Sequence, residues 1–326
     1  MSRSYEHQYM EALKNIYENG FADGINERTG KCTKRLPGVV IQVDVEKEFP
    51  ILKSKTVAGK TALREILWIW QQQSNNIHDL KAKIWDNWAD DNGSINKAYG
   101  FQMNRPVCIY TDTIHKTPES FRSYPDQATY ILEYLREFPN GRWGVATIWN
   151  TEELSGMNLV PCCHTSTWNL DGGRLNCVLD QRSGDMPYGV PFNTTQYAEL
   201  MILLARDLGV KPGILTHVIA DAHIYENQMD GVELQLKAYE VLKSVGCKDF
   251  IMREAIDEYL DVFVKYCPNE QVPTNSEVET LAVSAVNCKP KFVVNGSTKF
   301  FEVNGDDCYI SDYVSMGKID FGEVAV

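Results

Sequence analysis

The run Pro161-Cys162-Cys163-His164, then Gln181-Arg182-Ser183-Gly184-Asp185, then Gly189-Val190-Pro191-Phe192-Asn193, brings together three kinds of chemically useful side chain. A thiol attacks carbon only as thiolate, and a neighbouring guanidinium favours that form, so Arg182 is expected to lower the pKa of a cysteine beside it. Arginine also grips phosphate with a planar two-pronged fork. The Asn193 amide sets a donor next to an acceptor, the arrangement that pairs with a pyrimidine edge. Downstream, Asp221-Ala222-His223-Ile224-Tyr225 completes the string. Taken singly these residues say little, since a lone Cys is most often a small buried apolar side chain. Their joint order carries the signal.

Bulk properties narrow the setting. The 326 residues are 44% hydrophobic and carry a formal net charge of -12, with a mean hydropathy of -0.31. Such a chain is a globular protein with ample core and a poor general polyanion binder, so nucleic acid is not expected as a primary partner. An anionic ligand must be caught by a local arginine cluster. No apolar run approaches the roughly 18 to 20 residues of a membrane span, and residues 1–20 lack the apolar centre of a signal peptide. The 9 cysteines form no Cys-x-x-Cys pair or zinc-like spacing, which fits reduced thiols in a cytoplasmic protein and no metal.

Elements must place those groups. An amphipathic helix is expected over 5–19, a turn-rich stretch over 24–38, a strand over 39–43 and an apolar helix over 61–73 that carries Glu65. Residues 83–100 read as an aromatic loop with Trp85, Trp88 and Tyr99, and 104–126 as an irregular excursion. A helix over 127–138 and a strand over 145–149 precede a hairpin, 165–170 with 175–181, turning at Asp171-Gly172-Gly173. A helix over 197–208 and a strand over 213–220 follow. The stretch 238–289 is charged and partly helical, and 290–326 reads as strands.

The strings and their spacing closely resemble the folate-dependent, cysteine-nucleophile thymidylate synthases, over about 28–237 and again over 290–326, leaving 238–289 as an unaligned insertion. The resemblance implies an α+β fold in one domain over 1–326, with a large mixed sheet packed against helices, and a homodimer paired sheet to sheet. It implies reductive methylation of dUMP to dTMP, with 5,10-methylenetetrahydrofolate giving carbon and hydride and leaving as dihydrofolate, and with neither flavin nor nicotinamide. A pyrimidine nucleotide hydroxymethylase, acting on dUMP or on CMP or dCMP, is the rival on the same scaffold, and an RNA-binding repressor the weaker one. Asn193 favours uracil over cytosine, and Trp85, as a shield against water, favours methylation.

The resemblance also implies roles. The interval from Cys162 to Gln181 fits the family without a gap, which favours Cys162 as nucleophile over Cys163; Cys163 then stands where histidine is usual. Glu65 is the general acid, and Tyr99 helps remove the carbon-5 proton; Arg182 and Asp221 complete the catalytic set. Arg28, Arg182, Ser183 and the partner's Arg142 hold the phosphate. Gln181, Asp185 and Asn193 face the nucleotide, while His223 and Tyr225 take the ribose hydroxyl. Trp85, Trp88, Leu159, Asp185, Gly189, Phe192 and Tyr225 line the folate site, and Ala325 and Val326 close over it. Trp143 replaces the second of two adjacent arginines.

Overall fold

Ser4 caps the first helix, α1 (Tyr5–Asn19), by accepting from the His7 N–H, and Tyr9, Leu13 and Ile16 form its buried stripe. The computed structural model describes residues 4–22 and 24–324. Strand β1 (Phe21–Ala22) is short and pairs with β2 (Thr33–Asp44). Strand β2 begins well before its β-branched centre, so the turn-rich stretch is shorter than expected. Pro37 is accommodated there because the pairing with β1 ends at Arg35, leaving an edge where a missing N–H is tolerated. Helix α2 (Gly59–Trp70) buries Glu65 among Leu63, Ile66, Leu67 and Trp68. Single-turn helices α3 (Ile77–Leu80) and α4 (Gly100–Met103) bracket the aromatic loop.

The 104–126 excursion holds a short hairpin within it. Strands β3 (Val107–Tyr110) and β4 (Phe121–Tyr124) pair as an antiparallel hairpin, and the long loop between them hides that pairing from local periodicity. Asp126 caps α5 (Gln127–Glu137), and β5 (Val145–Thr147) leads to the loop before the cysteines. Strands β6 (Cys163–Asp171) and β7 (Arg174–Gln181) form the expected hairpin. After β8 (Gly184–Asp185), helix α6 (Gly189–Leu208) starts earlier than the expected 197, because Pro191 lies in its first turn, where no N–H partner is lost. Strand β9 (Lys211–Tyr225) also outruns its expected core.

Three helices follow: α7 (Met229–Ser244), α8 (Asp249–Tyr266) and α9 (Asn275–Asn287). They make 238–289 more fully helical than expected, around a small core of Val241, Ile256, Tyr259, Val278 and Ala282. Among the described residues from 290 onward, only β10 (Lys291–Val294) and β11 (Cys308–Ser311) are strands.

The main sheet has 7 strands, in the order β1-β2-β9-β7-β6-β5 with β8 beside β9. The β7–β9 and β8–β9 pairs are parallel and the rest antiparallel, so the sheet is mixed and the fold α+β, as expected. Strand alternation sends Ile41, Val43, Leu179, Leu215 and Ile219 inward, all buried under the helices. Register places Val40, Val145, Val178, Thr216 and Val218 together on the opposite face, with Val40 55% exposed.

At the β6–β7 turn Gly172 and Gly173 have φ of 55 and 76, and nothing lies within 4 Å of a Cβ added to either. The constraint is therefore purely one of backbone conformation. Gly173→Ala is expected to cost about 1 to 2 kcal/mol, the left-handed penalty of an L-residue, read as a lower urea midpoint with an unchanged slope.

Candidate active site

Three strand ends converge by register: Cys163 lies opposite Gln181, and Gln181 opposite Ile219. The residues just beyond, Cys162, Arg182 and Asp221, consequently share one edge. Arg182 fastens this edge. Its backbone N–H donates to the Cys162 carbonyl at 3.0 Å, its Nε donates to the Pro161 carbonyl at 2.9 Å and its Nη2 to the Val160 carbonyl at 2.7 Å. The same Nη2 stands 3.9 Å from the Cys162 Sγ. The guanidinium is thus held by the protein's own carbonyls.

A cleft of ≈ 540 Å³ opens there. It is lined by Cys162, Tyr99, Arg182, Ser183, Arg28 and Gln181. Glu65, Trp85, Trp88 and Leu159 line it too. Gly189, Phe192 and Asn193 come from the start of α6, Asp185 from β8, and Asp221, His223 and Tyr225 from the end of β9. Arg142 is exposed in the turn before β5, away from this cleft. Ala325 and Val326 lie outside the described residues, and Val324 reaches the cleft. Among the described residues no group of three or more His, Cys, Asp or Glu is placed to hold a metal.

Cys162 is half-buried, whereas Cys163 is buried at the start of β6. The Cys162 N–H donates to the Tyr99 hydroxyl at 3.2 Å. Tyr99 adopts φ 43, a strained position for a bulky residue, and Gly100 follows it because a Cβ there would meet the Ser74 carbonyl at 2.0 Å. Burial pushes the Cys162 thiol above its usual range; Arg182 and Arg28 pull the other way without prevailing. Arg182 lowers the pKa as expected, but desolvation of the anion outweighs the two guanidinium charges, so the net shift is upward. Cys163 is driven further up by burial, with no cation opposing it.

Glu65 is enclosed by apolar neighbours, and burial raises its carboxyl to about 7 against opposing hydrogen bonds from Trp85 and Gln196. Trp85 Nε1 donates to Oε1 at 2.5 Å and Gln196 Nε2 donates to Oε2 at 2.6 Å. The Trp85 ring packs edge-on against Tyr99 and Trp88, with centroids 4.8 Å and 5.6 Å away. Trp88 Nε1 is buried with no acceptor among the described residues. Asp185 accepts from the Tyr188 N–H and from Gln228 Nε2, and burial raises its carboxyl. His223 and Tyr225 stand edge to face at 5.0 Å.

Sequence reasoning missed several participants. Gln196 lies one turn beyond Asn193 on α6, a spacing that could have flagged it. His217 is buried and held neutral, its pKa down to about 3, between Thr194 and the Gln181 amide oxygen at 2.9 Å and 2.7 Å. Tyr188 pins the tail, its hydroxyl donating to the Gly322 carbonyl and accepting from the Phe321 N–H.

Comparison with known proteins places these features in a family. Residues 7–246 match the sequence model described as thymidylate synthase. The chain is 43% identical over 235 residues to a thymidylate synthase of Clostridium beijerinckii, covering 71% of this chain and 81% of that protein. It is 33% identical to thymidylate synthase 1 of Bacillus subtilis, covering 72% and 84%. In structure it is similar to thermostable thymidylate synthase A from Bacillus subtilis, with a TM-score of 0.73, 28% identity and 99% of both chains covered.

The opposing influences on Cys162 give a direct test. Arg28→Ala removes one of the charges that lower the thiol, so its pKa rises further and less thiolate exists at pH 8. Alkylation of the Cys162 peptide by iodoacetamide, followed by mass spectrometry, is expected to slow several-fold, while the exposed Cys247 reacts at an unchanged rate.

Proposed function

The chain belongs to the thymidylate synthase family, and on that premise we propose how its own residues carry out the reductive methylation of dUMP to dTMP. Cys162 is the nucleophile. Its sulfur adds to carbon 6 of the pyrimidine, the ring becomes an enolate, and carbon 5 gains the nucleophilicity that free uracil lacks. Arg182 stabilises the developing thiolate from 3.9 Å and, with Arg28 and Ser183, receives the phosphate. Asn193 pairs with the base edge, and His223 and Tyr225 receive the ribose hydroxyl.

Glu65 moves protons. With its carboxyl near 7, it is divided between acid and base forms at neutral pH, the condition for efficient transfer to the ring oxygen. Tyr99 assists removal of the carbon-5 proton. The co-substrate 5,10-methylenetetrahydrofolate supplies the one-carbon unit and the hydride. Trp85, Trp88, Leu159 and Phe192 offer a flat pterin an apolar berth, Asp185 accepts from its nitrogens, and the unpartnered Trp88 Nε1 awaits an acceptor.

The observation that carries this reading is the meeting of thiol, guanidinium, base-reading amide and buried carboxyl in one cleft. The rival hydroxymethylase is not favoured, since the similar proteins described above are thymidylate synthases. Mixing the protein with dUMP and methylenetetrahydrofolate tests it: an absorbance rise from dihydrofolate is expected, whereas hydroxymethylation turns over without one. Glu65→Gln is expected to keep dUMP binding but lower turnover at least about 100-fold, the worth of a positioned acid.

Arg142, exposed and remote from its own cleft, serves the phosphate of a second chain paired through the outward sheet face, where Val40, Val145 and Val178 are exposed. Arg142→Ala and Cys162→Ala homodimers are each expected to be badly impaired. Mixed after dissociation, they form heterodimers with one complete site, so about half the normal activity per mixed dimer returns. No recovery, with exchange confirmed by native mass spectrometry, places Arg142 outside the shared site.

A further inference from the structure

A carboxamide is nearly symmetric: turning it over exchanges its donor and acceptor ends at little steric cost. Uracil presents N3–H beside the O4 acceptor, and cytosine presents the N3 acceptor beside an amino donor. An asparagine alone therefore reads either base by flipping, so the choice must come from whatever fixes its orientation. The neighbours of Asn193 provide that fixing element.

Gln196 is 2% exposed. Its Nε2 donates to Glu65 Oε2 at 2.6 Å and also points to the Ala62 carbonyl of α2 at 3.4 Å. The Ala62 carbonyl can only accept, and in this arrangement the Glu65 carboxyl accepts too, at Oε2 from Gln196 and at Oε1 from the Trp85 N–H. The Gln196 amide nitrogen is thus held toward α2, and its Oε1 faces the opposite way. There it meets Asn193 Nδ2 at 3.4 Å. A flipped Asn193 would set Oδ1 against Oε1, two acceptors facing each other in a buried place. Asn193 is left with Oδ1 and its second N–H for the cleft, the pattern complementary to N3–H and O4 of uracil.

We propose that Gln196 is a specificity-determining residue, locking the Asn193 amide in the uracil-reading orientation through its bond to the Glu65 carboxylate and the Ala62 carbonyl. The inference rests on the placement of the base at Asn193 made above. It adds that selectivity belongs to a chain of three side chains rather than to the asparagine, and that the proton-moving acid is one end of that chain.

Two substitutions test the lock by binding, which does not depend on the chemistry of Glu65. Gln196→Met keeps length and apolar packing but removes both polar ends. Asn193 can then turn over, and calorimetry with dUMP and dCMP is expected to show their affinity ratio falling about tenfold, mainly through tighter dCMP binding. Gln196→Glu, protonated in this buried place, donates its O–H to Glu65 and still offers a carbonyl oxygen to Asn193, so it is expected to keep the ratio. An unchanged ratio in Gln196→Met, equal weakening of both nucleotides, or equal loss of the ratio in both variants overturns the proposal. A wild-type protein that binds dUMP and forms dihydrofolate while either variant departs from expectation refutes the lock alone. One that binds neither nucleotide refutes the functional reading itself.

Discussion

Strand register is the constraint on which the cleft depends. Because β6 and β7 run antiparallel while β7 and β9 run parallel, the ends of all three strands fall at one edge of the sheet. A shift of one residue in any of them would turn its side chains to the other face. Cys162 would leave Arg182, and Asp221, His223 and Tyr225 would turn away together. The tight Gly172-Gly173 turn, with both residues at positive φ, fixes the first pairing, and the buried inward row from Leu179 to Ile219 fixes the second.

Electrostatics on this scaffold is a contest between burial and charge. The chain carries a net charge of -12, yet the cleft gathers Arg28, Arg35 and Arg182, so its attraction for an anion is local. The same enclosure that sharpens this attraction penalises every anion the protein makes for itself. It holds Glu65 near 7 and keeps Cys162 above its ordinary range despite the guanidinium beside it. A bound nucleotide therefore meets a Glu65 poised between its two forms and a Cys162 whose ionisation burial opposes.

Much of this was legible in the sequence, and unevenly so. Helix α1 buries its expected apolar stripe, with Tyr5 and Met10 in addition, and the β6–β7 hairpin announced itself through its glycines. Most of the named site residues lie around one cleft, because their motif spacing encodes the strand ends that carry them. What escaped was non-local: the hairpin of β3 and β4, whose halves are separated by a loop, and the early start of α6, whose first turn looked like a motif rather than a helix. The opposing effect of burial on Cys162 also escaped, because adjacency to an arginine is visible in a sequence and depth of burial is not. Gln196 was passed over because an amide among apolar residues reads as filler until its two partners are known.

The tail is one of the links between the small core of the C-terminal helices and the main core. Met316 is buried in the small core of the three C-terminal helices, Ile319 touches both that core and the main one, and Phe321 is buried in the main core under Tyr188, a few residues before Val324 reaches the cleft. One stretch of chain is thus threaded through two hydrophobic centres and reaches the cleft. Whatever settles on Val324 holds the thread taut, and by linkage the same free energy is felt at its far end. A molecule filling the cleft would thereby protect a helical unit that it never touches, and loosening of that unit would be felt as a weaker grip on the ligand.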